Sequence, residues 1–178
     1  HCFSLTKVTI PASVKTIGDS AFFDCRSLAE ITIPEGVTTI GYSAFQNCQS
    51  LIEVTIPEGV TTIEASTFAN CINLDKVTIP EGVTTIEASA FESTGLTKVT
   101  IPTSVTEIGS YAFAYTGLTD VTIPEDVTTI GDYAFYNCAN LNQVTFQETG
   151  GWCLNTDPPE SINVGDPSDN AEKLREGE

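Results

Sequence analysis

The sequence is short of positive charge and almost without histidine. Seven Lys and Arg stand against 24 Asp and Glu, for a net charge of −17, and the single His is His1. Nucleic-acid binding depends on neutralising phosphates with Lys and Arg. This balance therefore excludes nucleic acid as a partner, and it disfavours anionic membrane surfaces. With one His at position 1, neither a Cys–His nor a Ser–His–Asp nucleophile can be assembled. There is no Cys-x-x-Cys pair and no His–carboxylate cluster, which removes a zinc site. There is no glycine-rich phosphate loop; Gly18, Gly41, Gly109 and Gly131 recur with a period and serve turns. The chain reads as a non-enzyme that needs no cofactor. No run approaches the ~18–20 apolar residues of a membrane span, and no signal peptide opens the chain.

What is present is a repeat. Residues 28–48 read LAEITIPEGVTTIGYSAFQNC, and the pattern starts at Leu5, Leu28, Leu51, Leu74, Leu96, Leu118 and Leu141, the last copy being incomplete. The steps are 23, 23, 23, 22, 22 and 23 residues, a fixed period that marks a solenoid. The first part of each copy, as in Leu51–Pro57, alternates apolar Val54 and Ile56 with Thr55, which predicts a half-buried strand ended by proline. Glu-Gly then predicts a turn, and Val-Thr-Thr-Ile a second short extended piece. Ala44, Phe45 and Cys48 have spacings that put all three on one side of a single helical turn. That turn is expected to carry the chain to the next strand.

Residues at one phase stack into columns. Phe22, Phe45, Phe68, Phe91, Phe113 and Phe135 form one, and Val8, Ile31, Val54, Val77, Val99, Val121 and Val144 another. Neighbouring copies bury these faces for each other. Cys2, Cys25, Cys48, Cys71 and Cys138 also share a phase, with Thr94 and Thr116 in the shortened copies. Stacked strands lie about 4.8 Å apart, whereas disulfides prefer Cβ atoms about 3.8 Å apart. No disulfide is expected among these five; they read as small core residues with free thiols. Cys153 is off-phase, and either state is open to it.

The pattern Leu-x-x-Val-Thr-Ile-Pro-x-x-Val-x-x-Ile-Gly-x-x-Ala-Phe-x-x-Cys resembles the leucine-rich repeat of the BspA-like, or Treponema-type, family. The fold it implies is an α/β repeat: a right-handed leucine-rich-repeat solenoid of parallel, in-register short strands, about six 22–23-residue repeats plus a C-terminal cap. The solenoid is assigned to residues 1–146 and the cap to 147–178. Trp152 is expected to cover the end of the core. Asp166-Pro167 reads as the start of a short helix near 167–175, with Leu174 on its inner side. Cys2-Phe3-Ser4-Leu5 matches Cys25-Arg26-Ser27-Leu28, so the chain starts in mid-repeat and reads as a fragment. Its uncapped N-terminal end is a candidate for self-association. The resemblance further implies a cell-surface or secreted protein that adheres to a host extracellular or cell-surface protein.

Three surface features are binding candidates. Two residues before the strand threonines the side chain varies: Lys7, Glu30, Glu53, Lys76, Lys98, Asp120 and Gln143. Variable side chains on a regular scaffold are how solenoids read partners; cross-strand charge pairing is the plainer account. Glu30/Glu53 and Lys76/Lys98 are like-charged neighbours, which pairing does not explain. Glu35, Glu58, Glu81 and Glu125, interrupted by Thr103, form an acidic column that suits Ca²⁺ or simply a solvated turn. Tyr111, Tyr115, Tyr133 and Tyr136 gather near the C-terminal end, as an interface or sugar-binding patch or as packing over the Phe column. Beside protein adhesion, the readings kept open are a structural spacer presenting another domain and a carbohydrate-binding module.

Overall fold

The computed structural model describes residues 2–147. Successive coils contribute β1 (Lys7–Thr9) and β2 (Thr16–Ile17), β3 (Glu30–Thr32) and β4 (Thr39–Ile40), β5 (Glu53–Thr55) and β6 (Thr62–Ile63), and β7 (Lys76–Thr78) and β8 (Thr85–Ile86). They are followed by β9 (Glu107–Ile108), β10 (Asp120–Ile123), β11 (Thr129–Ile130) and β12 (Gln143–Phe146). Every pairing is parallel and joins residues at the same repeat phase, such as Val54 with Val77 and Ile63 with Ile86. The solenoid and its register are therefore those that the period implies. The expected cap, Trp152, Cys153 and the helix near 167–175 lie outside the described residues.

The alternation within each copy sorts side chains as the pleat requires. In β10, Val121 and Ile123 are buried while Asp120 and Thr122 are exposed. The core is one thin continuous column set: Leu28, Leu51, Leu74, Leu96, Leu118, Val37, Val83 and Val105 are all fully shielded from solvent. The Phe column stacks ring on ring with centroids 5.2–5.6 Å apart and planes within 12° of parallel. Each phenylalanine thus rests on rings from the coils beside it, and no coil could bury its own.

The helical turn expected over residues 44–48 does not form, and no segment is helical among the described residues. Two residues per coil sit in the left-handed region instead: Ser43 (φ 52°) and Asn47 (φ 63°), Ser66 (57°) and Asn70 (60°), and their equivalents. They break the helical run and turn alternate amides outward. The amides of Ala44, Gln46 and Cys48 bond within the coil, to the carbonyls of Gly41, Ser43 and Phe45. Those of Ser43, Phe45 and Asn47 donate to Ala65, Thr67 and Ala69 of the next coil, at 2.9–3.1 Å. A helical turn would spend its amides on itself; this one shares half of them with its neighbour, so the stack has a third hydrogen-bonded side. The approach is close. A Cβ on Gly131 would lie 2.4 Å from the Ser110 nitrogen, so a side chain there would force the coils apart.

The cysteine column has a second duty. The thiols of Cys48, Cys71 and Cys138 donate to the carbonyls of Phe22, Phe45 and Phe113 one coil back, at 3.1–3.2 Å. Where threonine replaces cysteine, its hydroxyl donates to the phenylalanine carbonyl of its own coil, Thr94 to Phe91 and Thr116 to Phe113. Cys2, Cys25, Cys48, Cys71 and Cys138 are free thiols, and all but Cys2 are buried. Burial pushes the Cys48 thiol up to about 12 and Cys71 well above the ordinary range, with the thiol one coil back adding to each shift.

Candidate binding face

The variable column comes together along the face of the first strands, but the sheet beneath it is interrupted. β1 pairs with β3, β5 with β7 and β10 with β12, and no ladder joins β3 to β5. Lys98–Thr100, which follows the first shortened connector, forms no strand. Where strands are paired, opposite charges face each other: Lys7 Nζ lies 2.9 Å from Glu30 Oε2, and Lys76 is hydrogen-bonded to Glu53. Asp120 stands opposite Gln143. Of the three junctions without a ladder, two bring like charges together, Glu30 with Glu53 and Lys76 with Lys98, and the third sets Lys98 beside Asp120. Lys98 makes no ion pair among the described residues.

Two open grooves lie at these breaks. The first is about 570 Å³, lined by Glu30, Glu35 and Glu53 with Ile31, Ile33 and Ile52. Its apolar floor and three carboxylates make it an acidic slot. The second is about 440 Å³, lined by Lys76 and Lys98 with Asp75, Asp120, Val77 and Val99. It offers a partner the Lys98 ammonium, beside Lys76 that is paired with Glu53, and two carboxylates among its lining. The sequence pattern places the charges but not the first groove, because Glu30 and Glu53 stand 23 residues apart as paired neighbours do. Ile52, 58% exposed beside the first groove, is a residue that the variable column alone misses.

The four tyrosines form one cluster on the turn side. Tyr111 and Tyr133 stack at 5.1 Å, and Tyr136 stands almost perpendicular to both Tyr133 and Tyr115, at 5.5 Å from each. Tyr111, Tyr115 and Tyr133 are 36%, 45% and 42% exposed. The Tyr111 hydroxyl is pushed up, first by partial loss of water and then by Tyr133, Tyr115 and Glu92. Strand face and tyrosine cluster are separate surfaces. In the acidic column, Thr103 donates to Glu81 at 3.1 Å. No group of three or more His, Cys, Asp or Glu is arranged to hold a metal ion among the described residues. No helix among them is long and apolar enough to cross a membrane.

Comparison with known proteins agrees with this architecture. Residues 1–119 and 106–153 match the BspA type leucine rich repeat region, in six copies. A leucine-rich cell surface protein from Faecalibacterium prausnitzii is similar at 31% identity and TM-score 0.63, over 80% of this chain and 55% of that one. A leucine-rich repeat protein from Bacteroides ovatus is similar at 30% identity and TM-score 0.60, over 78% and 35%. The T. pallidum leucine-rich repeat protein is similar at 26% and 0.54, over 79% and 58%. The chain thus spans between 35% and 58% of the length of these relatives. No curated protein sequence matches it. With the family model matching most of the chain and a relative at 31% identity over 80% of it, the chain belongs to the BspA-type leucine-rich-repeat family.

Proposed function

We propose that these coils are a non-enzymatic protein-binding module of a surface or secreted protein, and that the strand face holds a host extracellular or matrix protein. The family and the cell-surface relative support the setting. The observation that carries the reading is that both like-charged neighbour pairs fall at breaks in the sheet. Directly opposed like charges destabilise a sheet, and a face built only for stability would alternate signs throughout. Here the like-charged pairs lie over the two grooves, where no ladder holds the strands together. Lys76, Lys98 and Asp120 are the residues of the second groove that a partner meets first.

The test is binding of the chain to immobilised fibronectin, fibrinogen, laminin and collagen at two salt concentrations, with albumin as control. Saturable binding to one of them, weakened by salt and lowered at least about tenfold in Lys76→Glu/Lys98→Glu, is expected; tenfold corresponds to about 1.4 kcal/mol. Albumin-level signal on all four, with the double variant as stable as its parent, would leave a spacer. The continuous turn-side bonding supports that second reading, since it stiffens the array whatever the strand face does.

A further inference from the structure

We infer that the tyrosine cluster of the last two coils is a second binding site, one that takes the lysine and arginine side chains of a basic peptide segment. It stands on a different face from the grooves and fails or holds independently of them.

The backbone is the first observation. Tyr111, Tyr115 and Tyr133 have φ of 58°, 59° and 60°. At the same two positions the other coils use Ser20, Ser43, Ser66 and Ser89, or Asp24, Asn47, Asn70, Ser93 and Asn137. Small and Asx residues tolerate the left-handed region, while a bulky aromatic there is a costly choice. Three such choices within 23 residues call for a return on the strain.

The core does not provide that return. Phe113 and Phe135, beneath the tyrosines, are fully buried, but so are Phe45 and Phe68, whose coils carry serine and asparagine at those positions. The inter-coil bonding is also the same. Tyr111 and Tyr115 donate to Asp132 and Tyr136 as Ser43 and Asn47 donate to Ala65 and Ala69. What the tyrosines add is contact with one another, at positions where the other coils fold without it.

Charge names the occupant. Asp132 is next to Tyr133 in the chain, and residues 99–147 contain no Lys or Arg. Glu92 lies close enough to act on the Tyr111 hydroxyl. An aromatic ring presents a negative face, and an ammonium or guanidinium within about 6 Å of its centroid is attracted to it, more strongly where carboxylates share the site. The molecule already makes such a contact at its other end, where the Arg26 guanidinium lies 5.5 Å from the Phe3 centroid. Stacking turns one face of Tyr111 and of Tyr133 inward, so the cluster is not a flat platform for a sugar ring. The corners made by the perpendicular Tyr136 suit a compact cation instead.

The test is fluorescence anisotropy of a labelled octa-arginine peptide at physiological salt, with the full 178-residue chain. Tyr111→Ser/Tyr115→Asn/Tyr133→Ser installs the residue types of the other coils and leaves net charge unchanged. Affinity should fall at least about fivefold, while the melting temperature should change little because relieved left-handed strain offsets the lost ring contacts. Affinity within twofold of the parent, or no binding by the parent, overturns the proposal. If the variant melts early, the Tyr→Phe triple variant decides. Retained affinity supports ring–cation contact, and loss overturns it because the hydroxyls then carry the interaction. A neutral-glycan signal abolished by the first variant, with peptide binding unchanged, assigns the cluster to sugars and overturns it equally.

Discussion

On the turn side, five successive coil junctions each carry the same three inter-coil backbone bonds, from Ser20, Phe22 and Asp24 through to Tyr111, Phe113 and Tyr115. On the strand side, the first-strand ladder exists in three separate pairs. Both faces come from one repeat with one period. The difference is in who supplies the bonds. The turn ladder depends on left-handed residues present in every coil, so it tolerates changes of side chain. The strand ladder depends on short three- and four-residue strands whose outward side chains vary. The array is held together behind, which leaves its front free to open.

The comparison can be broken most severely at the ring column. Phe68→Ala removes a fully buried ring stacked on both sides and should cost about 3–5 kcal/mol in urea denaturation. Thr55→Ala, exposed on the strand face, should cost less than about 1 kcal/mol. If the two were alike, the turn side would not be the structural spine.

Alkali is the next lever. The folded thiols of Cys48 and Cys71 ionise above their ordinary value of 9.0, so below it they contribute fully, and above it the unfolded chain alone releases protons. Stability should fall from near pH 9 upwards, by about 1.4 kcal/mol per pH unit for each buried thiol still protonated. Cys48→Thr, which copies the residue of the shortened coils, should flatten that slope in urea titrations at pH 8–10.5. A counting of thiols in denaturant without reductant should find at least four.

The smallest effect separates paired from unpaired strands. Glu53→Lys puts two cations across a formed ladder and should cost about 0.5–1 kcal/mol. Lys98→Glu acts where no ladder exists and should stay within about 0.3 kcal/mol of the parent by thermal melting. Equal costs would mean that the breaks do not uncouple the strands.

Much of this was legible beforehand. The period located the columns, and the structure stacks the Phe rings, the strand valines and the cysteines where the phase puts them. The helical turn was misread because spacing reports which residues share a side and says nothing about the sign of φ. A signal was available: Ser20, Ser43, Ser66 and Ser89, with Asn47 and Asn70, recur at two fixed phases as left-handed residues do. Read that way, Tyr111, Tyr115 and Tyr133 stand out as misfits. The first groove was not legible, because Glu30 and Glu53 occupy equivalent places whether or not a ladder joins them.

The connector between the turn and the next leucine absorbs the only length changes in the array. Cys-x-x-Leu, closed by a bond such as Leu51 N to Cys48 O at 3.1 Å, shortens to Thr-Gly-Leu at residues 94–96 and 116–118. Threonine keeps the phenylalanine carbonyl occupied, and Gly95 fits where a Cβ would come within 2.8 Å of the Ile72 oxygen. One residue added to a strand would turn its buried side outward, but here a residue is gained or lost with the Phe and Leu columns in place. This corner is the array's expansion joint. It lets coils of 22 and 23 residues follow one another with the same buried residues stacked in line.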